Sequence, residues 1–494
     1  MPRTFFEKHS PSNLRSELLA LNRLFKGNKF LSIQTIESLN EYKTLVSTYI
    51  QSPNYSKLKP YIQRVANNIL NKINERIYAL SSIEDDKELY DLSECYIQIP
   101  SHNALAQMHH MPAGSTEDQQ TRLMHMSQIL SNCHSLPVIT SDHNNLPEYW
   151  SQLFREIGAG NRLTAFHALN QIPADDIILR SLLAVHSNEY VQQLIDYSIQ
   201  ALENGVKEIN SDIVITPGTF EVLITDLATT LLNPSKMIFS FGLPTHHAFH
   251  DEGSGFCLIN KTAVLMKYWE TVHAEPLHYI IVGTDVNRDN GLCDIIRQTS
   301  SHMNICHIDV FDSRVYPGQN HLDINKEFNL TGTEVGEQIK YWKHNNLDYY
   351  AVDLSLTFRK KISLHPALQF ALAKIKEQIA QAKTHHHHIA LLLPTGWDSH
   401  EDETAPCGKW VNERMMSLSE ASKTRFNDGD LTYFYEQIFQ LYNKNRELIK
   451  GIYWGLEGGY DRAMYERQVS LLTQIITAHL PHQASSSSSA GMSY

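Results

Sequence analysis

Residues 278–286 read HYIIVGTDV, an apolar run of strand length that passes directly into polar residues. Four later runs have the same form: NICHIDV at 304–310, YYAVDLSL at 349–356, HIALLLPTGW at 388–397 and IKGIYWGLEGGY at 449–460. Amphipathic stretches of helix length separate most of them, and a shorter run, LPVIT, precedes them at 136–140. Such alternation is typical of a mostly parallel sheet with helices on both faces. The sequence therefore predicts an α/β fold, in which ligands bind at the carboxyl ends of the strands.

The chain has 494 residues, which is more than one ordinary domain requires. Residues 14–82 carry apolar residues at helical spacing and predict an N-terminal helical extension. The polar stretch that follows predicts a linker, and we interpret its His109, His110 and His125 as surface residues. We therefore assign 1–130 to the extension and linker, 131–482 to the α/β domain, and 483–494 to a disordered Ser-rich tail.

Composition restricts the partners and the cellular compartment. The net charge is −12 and no Lys/Arg block stands out, which argues against direct binding of nucleic acid. The six cysteines lie far apart without a CxxC pair, which argues against a disulfide framework and a thiolate zinc site. The start MPRTFFEKHSPSN lacks an apolar core, and no run of about 20 apolar residues occurs. We expect a cytoplasmic protein with no membrane contact, although export without a cleaved signal stays open.

Three polar clusters follow the predicted strands. The first contains His246 and His247, which in a loop could reach one pocket as proton acceptor and donor. In the second, Asp285 and Asn287 share one face of a strand and offer two oxygen ligands to a divalent cation. In the third, Asp398 follows a strand and would lie near Asp285 if the two strands are neighbours. Taken alone, the His pair is more typical of a solvated loop than of a catalytic site. The Asp/Asn cluster, taken alone, is more typical of a strand-end turn than of a metal site.

Other polar residues have ordinary structural explanations. The run of four histidines at 385–388 directly precedes a predicted strand and indicates a solvated loop. We assign Asp353 a structural role. For His307 and Asp309, which belong to another strand, a position near the site stays open beside a structural role.

Taken in order, these motifs resemble those of the histone deacetylase family. PTHHAFHDEGSGFCLIN at 244–260 resembles the family's His pair followed by GFC and Asn. IVGTDVNRDNG at 281–291 resembles its aspartate-x-histidine metal strand, and GWDSHEDE at 396–403 its GFDAH segment. Further similar segments are LLAVHSNEYVQQL at 182–194, DIVITPGTFE at 212–221, YPGQ at 316–319 and LEGGY at 456–460. The resemblance covers roughly residues 135–480 and implies the arginase/deacetylase fold.

The resemblance also implies an activity, which is metal-dependent hydrolysis of an acetyl or related acyl amide on lysine side chains, including those of histones. Acetylated peptides or proteins, or an acetylpolyamine, would be the substrates, and zinc the metal. Carried over position by position, it implies that the metal ligands are Asp285, Asn287 and Asp398, and that the catalytic groups are His246, His247 and Tyr460. It further implies that the substrate tunnel is formed at Gly255, Phe256, Gly458 and Gly459.

Some positions depart from the family pattern. Asn287 stands where the family has histidine, and a carboxamide oxygen is a weaker ligand for zinc, so manganese or iron(II) stays open. Gly283 stands where many members have the aspartate that orients the first histidine, which predicts that His246 lacks a carboxylate partner. Asn290 could still orient His247. A catalytically impaired homologue that binds an acylated partner is therefore the alternative to an enzyme.

Two further differences concern the surroundings of the predicted site. Arg288 and Asp289 replace the second His and the Gly of the family's HHG and predict a changed inner wall of the pocket. The separation between Asp398 and Tyr460 is long for the family, which predicts an inserted loop around residues 402–425 near the tunnel mouth. We expect such a loop to influence the choice of substrate.

Overall fold

The computed structural model describes residues 94–479 apart from 111–117, 133–135, 143–145, 274, 300–302, 337, 360–363 and 412–413. Before them it describes residues 36–51, 58–60, 62–63, 65–67, 69–70 and 73. The chain divides into two units, Met1–Leu89 and Tyr90–Tyr494, and the first contains the helix α1, Ile36–Gln51. Most of the predicted helical extension and all of the predicted Ser-rich tail lie outside the described residues, so both stay predictions.

The second unit is built on a mostly parallel sheet, as expected. Its strands are Cys95–Pro100 (β1), Val138–Ser141 (β2), Lys207–Glu208 (β3), Val214–Ile215 (β4), Met237–Ser240 (β5), Leu277–Gly283 (β6), Asn304–Phe311 (β7), Thr333–Gly336 (β8), Ile339–His344 (β9), Leu347–Asp353 (β10), His388–Thr395 (β11), Trp410–Val411 (β12), Arg414–Met415 (β13) and Ile449–Leu456 (β14). Among the described residues, ten of these form one sheet in the order β2-β1-β5-β14-β11-β6-β7-β10-β9-β8. The pairs from β2 to β10 are parallel, whereas β9 and β8 add an antiparallel edge.

Helices surround this sheet and cover its apolar strands. They are His102–Gln107 (α2), Gln119–Ser131 (α3), Glu148–Gly158 (α4), Arg162–Gln171 (α5), Ile177–Leu183 (α6), Asn188–Gln200 (α7), Thr219–Leu232 (α8), Lys261–Val272 (α9), Asn290–Thr299 (α10), His321–Phe328 (α11), Pro366–His385 (α12), Pro406–Lys409 (α13), Leu418–Thr424 (α14), Asp428–Lys444 (α15) and Arg462–His479 (α16). Within the described part of the chain, no helix is long and apolar enough to cross a membrane.

The strand order brings the predicted motifs together. Strands β14 and β11 come late in the chain but lie between β5 and β6 in the sheet. The carboxyl ends of four neighbouring strands therefore meet at one edge, and each is followed by one of the quoted motifs. Strand β11 pairs in parallel with both neighbours, so that Leu391 lies beside Ile280 of β6 and Ile452 of β14. All three side chains are buried, which explains why these strands read as continuous apolar runs.

The predicted boundary at residue 130 is wrong, because β1 lies inside the sheet, between β2 and β5. The α/β unit therefore includes residues from Tyr90 onward. Strand β1 reads CYIQIP, and its central Gln98 interrupts the apolar run that would have indicated a buried strand. Gln98 is fully buried because its amide donates hydrogen bonds to Asp226 Oδ1 at 2.8 Å and to Ser141 Oγ at 3.1 Å.

Candidate active site

A cavity of about 120 Å³ opens at the carboxyl ends of β5, β14, β11 and β6. It brings together nine residues that the sequence singled out: His246, His247, Gly255, Phe256, Asp285, Asn287, Asp398, Gly458 and Tyr460. The remaining wall consists of Asp212, Pro244, Tyr316 and Cys407. Asp212 and Tyr316 belong to segments that matched the family pattern without an assigned role, and Cys407 lies in the region of the predicted insertion. These residues come from six separated stretches of the chain, so that only the fold assembles them.

Two carboxylates approach each other closely at the base of the cavity. A Cβ atom at Gly396 would collide with Asp285 Oδ2 and lie 2.6 Å from Asp398 Oδ1. A Cβ atom at Gly458 would likewise collide with Asp398 Oδ2 and lie 2.8 Å from Asp285 Oδ2. The two glycines thus leave the space into which both carboxylates project. Burial raises the pKa of both acids, and for Asp398 the neighbouring Asp285 raises it further.

Backbone amides fix the orientation of this carboxylate pair. Asp285 accepts hydrogen bonds from the N–H groups of Asn287 at 2.7 Å and Gly458 at 2.8 Å. Asp398 Oδ1 accepts one from the N–H of Val286 at 3.1 Å. These bonds hold two anionic groups side by side in a buried place, which is costly unless a cation or a proton separates them.

The amide of Asn287 completes an oxygen-rich wall. Its Nδ2 donates a hydrogen bond to the carbonyl oxygen of Tyr316 at 2.8 Å. Because the donor end of the amide is used in this way, the Oδ1 end is left for the cavity that Asn287 lines. Two carboxylates and one carboxamide oxygen form a ligand set suited to a hard or borderline divalent cation.

The two histidines lie side by side with opposite pKa shifts. Their ring centroids are 3.9 Å apart, and both side chains are buried. Burial alone would lower the pKa of His246, but the surrounding carboxylates, Asp285 first, raise it to about 10. Burial lowers the pKa of His247 well below its usual value, and the charge of His246 lowers it further. Two adjacent imidazoles whose pKa values are shifted in opposite directions therefore face one cavity, as an acid and a base would.

The prediction that His246 lacks a carboxylate partner is wrong. His246 Nδ1 lies 2.7 Å from Asp289 Oδ1, and His246 Nε2 lies 3.9 Å from Asp285 Oδ2. A Cβ atom at Gly283 would collide with the Asp289 carboxylate, so Asp289 occupies the space beside the strand position that the family fills with aspartate. The carboxylate that contacts His246 therefore comes from position 289 and not from position 283. On the other side of the pair, His247 Nδ1 lies 2.5 Å from Asn290 Oδ1.

Two buried clusters of ligand-type side chains lie beside the cavity in the described part of the chain: His246, Cys257 and Glu457, and Asp289, His307 and Asp309. In the first cluster, Glu457 accepts hydrogen bonds from Thr245 N at 2.5 Å and Thr245 Oγ1 at 2.7 Å, and so fixes the His-pair loop to the end of β14. In the second, Asp289 Oδ2 lies 3.0 Å from His307 Nε2. Glu457 and Asp289, one from each cluster, are therefore engaged in orienting the histidine loop.

Arg288 points away from the cavity into the same buried polar network. Its Nη1 lies 2.8 Å from Glu327 Oε2, and its Nε donates to Tyr349 at 3.0 Å. Tyr349 in turn donates to Asp309 Oδ2 at 2.7 Å. His307 and Asp309, whose position the sequence left open, thus lie behind Asp289 and do not line the cavity.

The Gly255–Phe256 turn forms another part of the wall. Both residues have positive φ angles, 49° for Gly255 and 68° for Phe256, and a Cβ atom at Gly255 would collide with the His247 ring. The strained Phe256 backbone is held by His109, whose Nε2 lies 2.7 Å from the Phe256 carbonyl oxygen. His109 is only 2% exposed, so its interpretation as a surface residue is wrong.

Two other histidines of the predicted linker also have structural contacts. The backbone of His110 bridges to Val214 of β4, and His125 Nδ1 lies 2.8 Å from the Tyr465 hydroxyl. Neither belongs to a solvated linker, because both lie in the part of the α/β unit that precedes the predicted boundary. The interpretation as a linker is therefore wrong for the described residues 94–110 and 118–132.

Tyr460 is held by Glu403 and by residues of α3, none of which had a predicted role. Its N–H donates to Glu403 at 2.6 Å, and Gly459, with φ of 109°, makes the turn that leads to it. Its hydroxyl accepts a hydrogen bond from Gln119 Nε2 at 3.0 Å, and the Arg122 guanidinium lies 4.7 Å from the ring centroid. Burial raises the pKa of Tyr460 well above its usual value, and Arg122 opposes part of this shift. The phenol therefore remains a neutral hydrogen-bond donor.

The parallel sheet and the polar cavity at its carboxyl edge define a protein of the arginase/deacetylase architecture. A family model described as "Histone deacetylase domain" matches residues 145–476. This match covers more than half of the chain, so the chain belongs to the histone deacetylase family, whose members are hydrolases. A solved structure described as "Crystal Structure of HDA15 HD domain" is similar, at 16% identity and a TM-score of 0.48, over 79% of this chain and 92% of that chain.

Proposed function

We propose that this chain is a metal-dependent deacylase that hydrolyses the acetyl or related acyl amide of a lysine side chain. One observation carries the proposal: a single cavity is lined by two close carboxylates, the Asn287 amide, a pair of adjacent histidines and Tyr460. Each of these groups has a role in amide hydrolysis, which needs activated water, a stabilised oxyanion and a protonated leaving amine. Family membership supports the same reaction class.

The histidines supply the proton transfers in this proposal. His247, whose pKa is lowered, can accept the proton of the attacking water, whereas His246, whose pKa is raised, can carry a proton and stabilise negative charge that develops beside it. Asp289 holds His246 in its ring orientation, as a carboxylate partner does at many catalytic histidines. The Tyr460 hydroxyl donates a hydrogen bond to the oxygen of the acyl group and so stabilises the charge that develops there.

Asp285, Asn287 and Asp398 are the residues that would hold the metal. Their fit rests on the two carboxylates that share one small space and on the Asn287 amide, whose donor end is already bonded to Tyr316. When bound, a divalent cation would supply Lewis-acid polarisation of the acyl carbonyl and acidification of water. An oxygen-only set of this kind accepts manganese or iron(II) as well as zinc.

The alternative, an impaired homologue that only binds an acylated partner, rested on Gly283 and Asn287. The argument from Gly283 no longer applies, since Asp289 provides the missing carboxylate. The argument from Asn287 concerns which metal binds rather than whether one binds. The geometry of the cavity therefore favours an enzyme over a binding module.

Turnover of a fluorogenic acetyl-lysine peptide tests the proposal. We expect wild-type protein to cleave the peptide when zinc, manganese or iron(II) is supplied. Tyr460→Phe should lower kcat by roughly 10²–10³-fold, because it removes one preorganised donor to the oxyanion. The measurement is the steady-state rate at saturating peptide for each metal.

Elemental analysis of protein purified without chelator accompanies this assay. We expect a bound divalent metal in wild-type protein and in Tyr460→Phe alike, since the phenol is not among the proposed ligands. Equal rates for wild type and Tyr460→Phe would identify a contaminating activity. A metal-free wild type that stays inactive with all three added metals would end the hydrolase proposal.

The identity of residue 287 should determine metal preference. Asn287→His replaces an amide oxygen with an imidazole nitrogen, which zinc binds better. We expect zinc affinity to rise by at least about tenfold, the smallest effect that changes around metal ligands usually produce. Calorimetric titration of metal-free protein with zinc measures it.

Asn443→His on the exposed face of α15 is the matched control, since Asn443 contacts Arg446 and His479 outside the cavity. Its zinc affinity should equal that of wild type at the proposed site. An unchanged affinity in Asn287→His itself would show that residue 287 does not contact the metal.

A further inference from the structure

One contact of the Tyr460 hydroxyl comes from outside the part of the chain that matches the family model. Gln119 is the first residue of α3 and precedes the matched residues 145–476. Its side chain is 2% exposed, and its Nε2 donates a hydrogen bond to the Tyr460 hydroxyl oxygen at 3.0 Å. A buried amide at this place touches the group that would polarise the substrate in the proposed function.

The neighbouring Arg122 determines which way the Gln119 amide points. Arg122 Nη2 donates to Gln119 Oε1 at 2.6 Å, and Arg122 Nη1 donates to the Gly459 carbonyl oxygen at 3.1 Å. A guanidinium has donors only, so the amide oxygen must face Arg122 and the amide NH₂ must face Tyr460. This arrangement does not depend on how amide oxygen and nitrogen are distinguished, because the reverse orientation would place two donors together.

The orientation of the amide has a consequence for the tyrosine proton. A phenol has one proton to donate, and toward Gln119 its oxygen acts as an acceptor. The O–H proton is therefore not engaged by Gln119 and remains for an acceptor elsewhere, and Tyr460 lines the cavity. The helix α3 that carries Gln119 begins with its own cap, in which Asp118 Oδ1 accepts from Thr121 N at 3.1 Å.

We propose that Gln119 is a positioning residue that directs the hydroxyl proton of Tyr460 into the cavity, toward the oxygen of the bound acyl group. The inference rests on the proposed function, since it gives Gln119 a role in the same hydrolysis. This role would add α3 to the elements that form the active site, although the sequence predicts a linker for this stretch.

Two substitutions of Gln119 test whether it directs the Tyr460 hydroxyl or only contacts it. Gln119→Glu keeps an oxygen that accepts the hydrogen bond from Arg122, but its carboxylate has no donor. The Tyr460 hydroxyl therefore donates its hydrogen bond to Glu at position 119 instead of pointing its proton into the cavity. We expect kcat to fall by about tenfold or more, with little change in KM. Gln119→Ala removes the contact without redirecting the proton, and its kcat should fall less, by about threefold. Gln128→Glu, on the exposed face of the same helix, should match wild type.

A double-mutant cycle distinguishes positioning from a general structural effect. In a Tyr460→Phe background there is no hydroxyl to direct, so Gln119→Glu should cause no further loss of kcat. An additive loss in both backgrounds would overturn the proposal. So would a wild-type kcat in Gln119→Glu.

A second readout does not require activity. With 3-fluorotyrosine placed at position 460, the ¹⁹F resonance reports the hydrogen bonding of that phenol. We expect it to move in Gln119→Glu and Gln119→Ala but not in Gln128→Glu. An unmoved resonance overturns the role of Gln119. A moved resonance in a protein that shows no turnover upholds the contact and rejects the proposed hydrolase instead.

Discussion

Replacing Asp398 by Asn is expected to remove metal binding and activity while making the metal-free protein more resistant to heat. Asp398 and Asp285 share one buried space, and each raises the cost of a negative charge on the other. Asn has nearly the same shape and can still accept the hydrogen bond from Val286 N. It removes an acid whose ionisation is unfavourable in this buried space, so the metal-free protein should unfold at a higher temperature.

The same substitution removes an anionic ligand from the proposed metal site. Metal affinity should fall by more than about 100-fold, beyond the loss that follows from removing an outer contact of a metal site. Calorimetric metal titration, thermal unfolding in the presence of chelator, and peptide turnover measure the three effects. The diagnostic result is a rise in the thermal stability of the metal-free protein together with a loss of metal affinity and activity.

Asp353→Asn is the matched control for this experiment. Asp353 also ends a parallel strand and is buried, but its carboxylate accepts from the N–H groups of Ser313 at 3.2 Å and Ser355 at 2.9 Å. It should leave metal affinity unchanged and should not stabilise the metal-free protein. A metal affinity in Asp398→Asn equal to that of wild type would contradict the proposed ligand set.

The sequence predicted those features that depend on short stretches of chain. The strands β6, β11 and β14 are buried on both faces over most of their length, so each contains a run of consecutive apolar residues, and each is followed by a polar motif. Their neighbouring positions in the sheet then bring Asp285, Asp398 and Tyr460 to one cavity. The fold class follows from this local pattern, whereas the predicted site residues came from the resemblance to the histone deacetylase family.

Features that depend on contacts between distant segments could not be read in this way. Strand β1 lies in a stretch whose polar composition predicts a linker. Gln98 interrupts its apolar run, and only the partners Asp226 and Ser141 make that residue suitable for burial. Gln119 likewise gave no signal, because a glutamine at a helix start is ordinary until Tyr460 lies beside it. A buried polar residue is recognised by its partners, which a single sequence does not reveal.

Asp289 is another residue whose contact could not be predicted from the sequence alone. A comparison position by position finds glycine at 283 and concludes that the carboxylate is lost. In three dimensions the loop after β6 returns the Asp289 side chain to the space beside Gly283. What the fold preserves is the location of a negative charge next to His246, not the sequence position that provides it.

Removal of that charge should therefore be severe. In Asp289→Asn the amide keeps the size of the side chain but no longer offers a carboxylate to the imidazole. His246 should therefore be oriented less firmly and its pKa should fall, although Asp285 and Glu457 still raise it. We expect kcat to fall by roughly 10²–10⁴-fold, the usual contribution of acid–base catalysis. The measurements are kcat at saturating acetyl-lysine peptide and the thermal midpoint of unfolding.

Moving the carboxylate back tests whether its location is what matters. Asp289→Gly should be as inactive as Asp289→Asn, whereas Asp289→Gly combined with Gly283→Asp should recover much of the lost kcat, because the new carboxylate occupies the vacated space. Gly283→Asp alone should lower the thermal midpoint, since its Cβ would collide with Asp289. If the double variant stays as inactive as Asp289→Gly while folding normally, the charge beside His246 is not sufficient. Asp289 would then act through His307, 3.0 Å away, rather than through the catalytic pair.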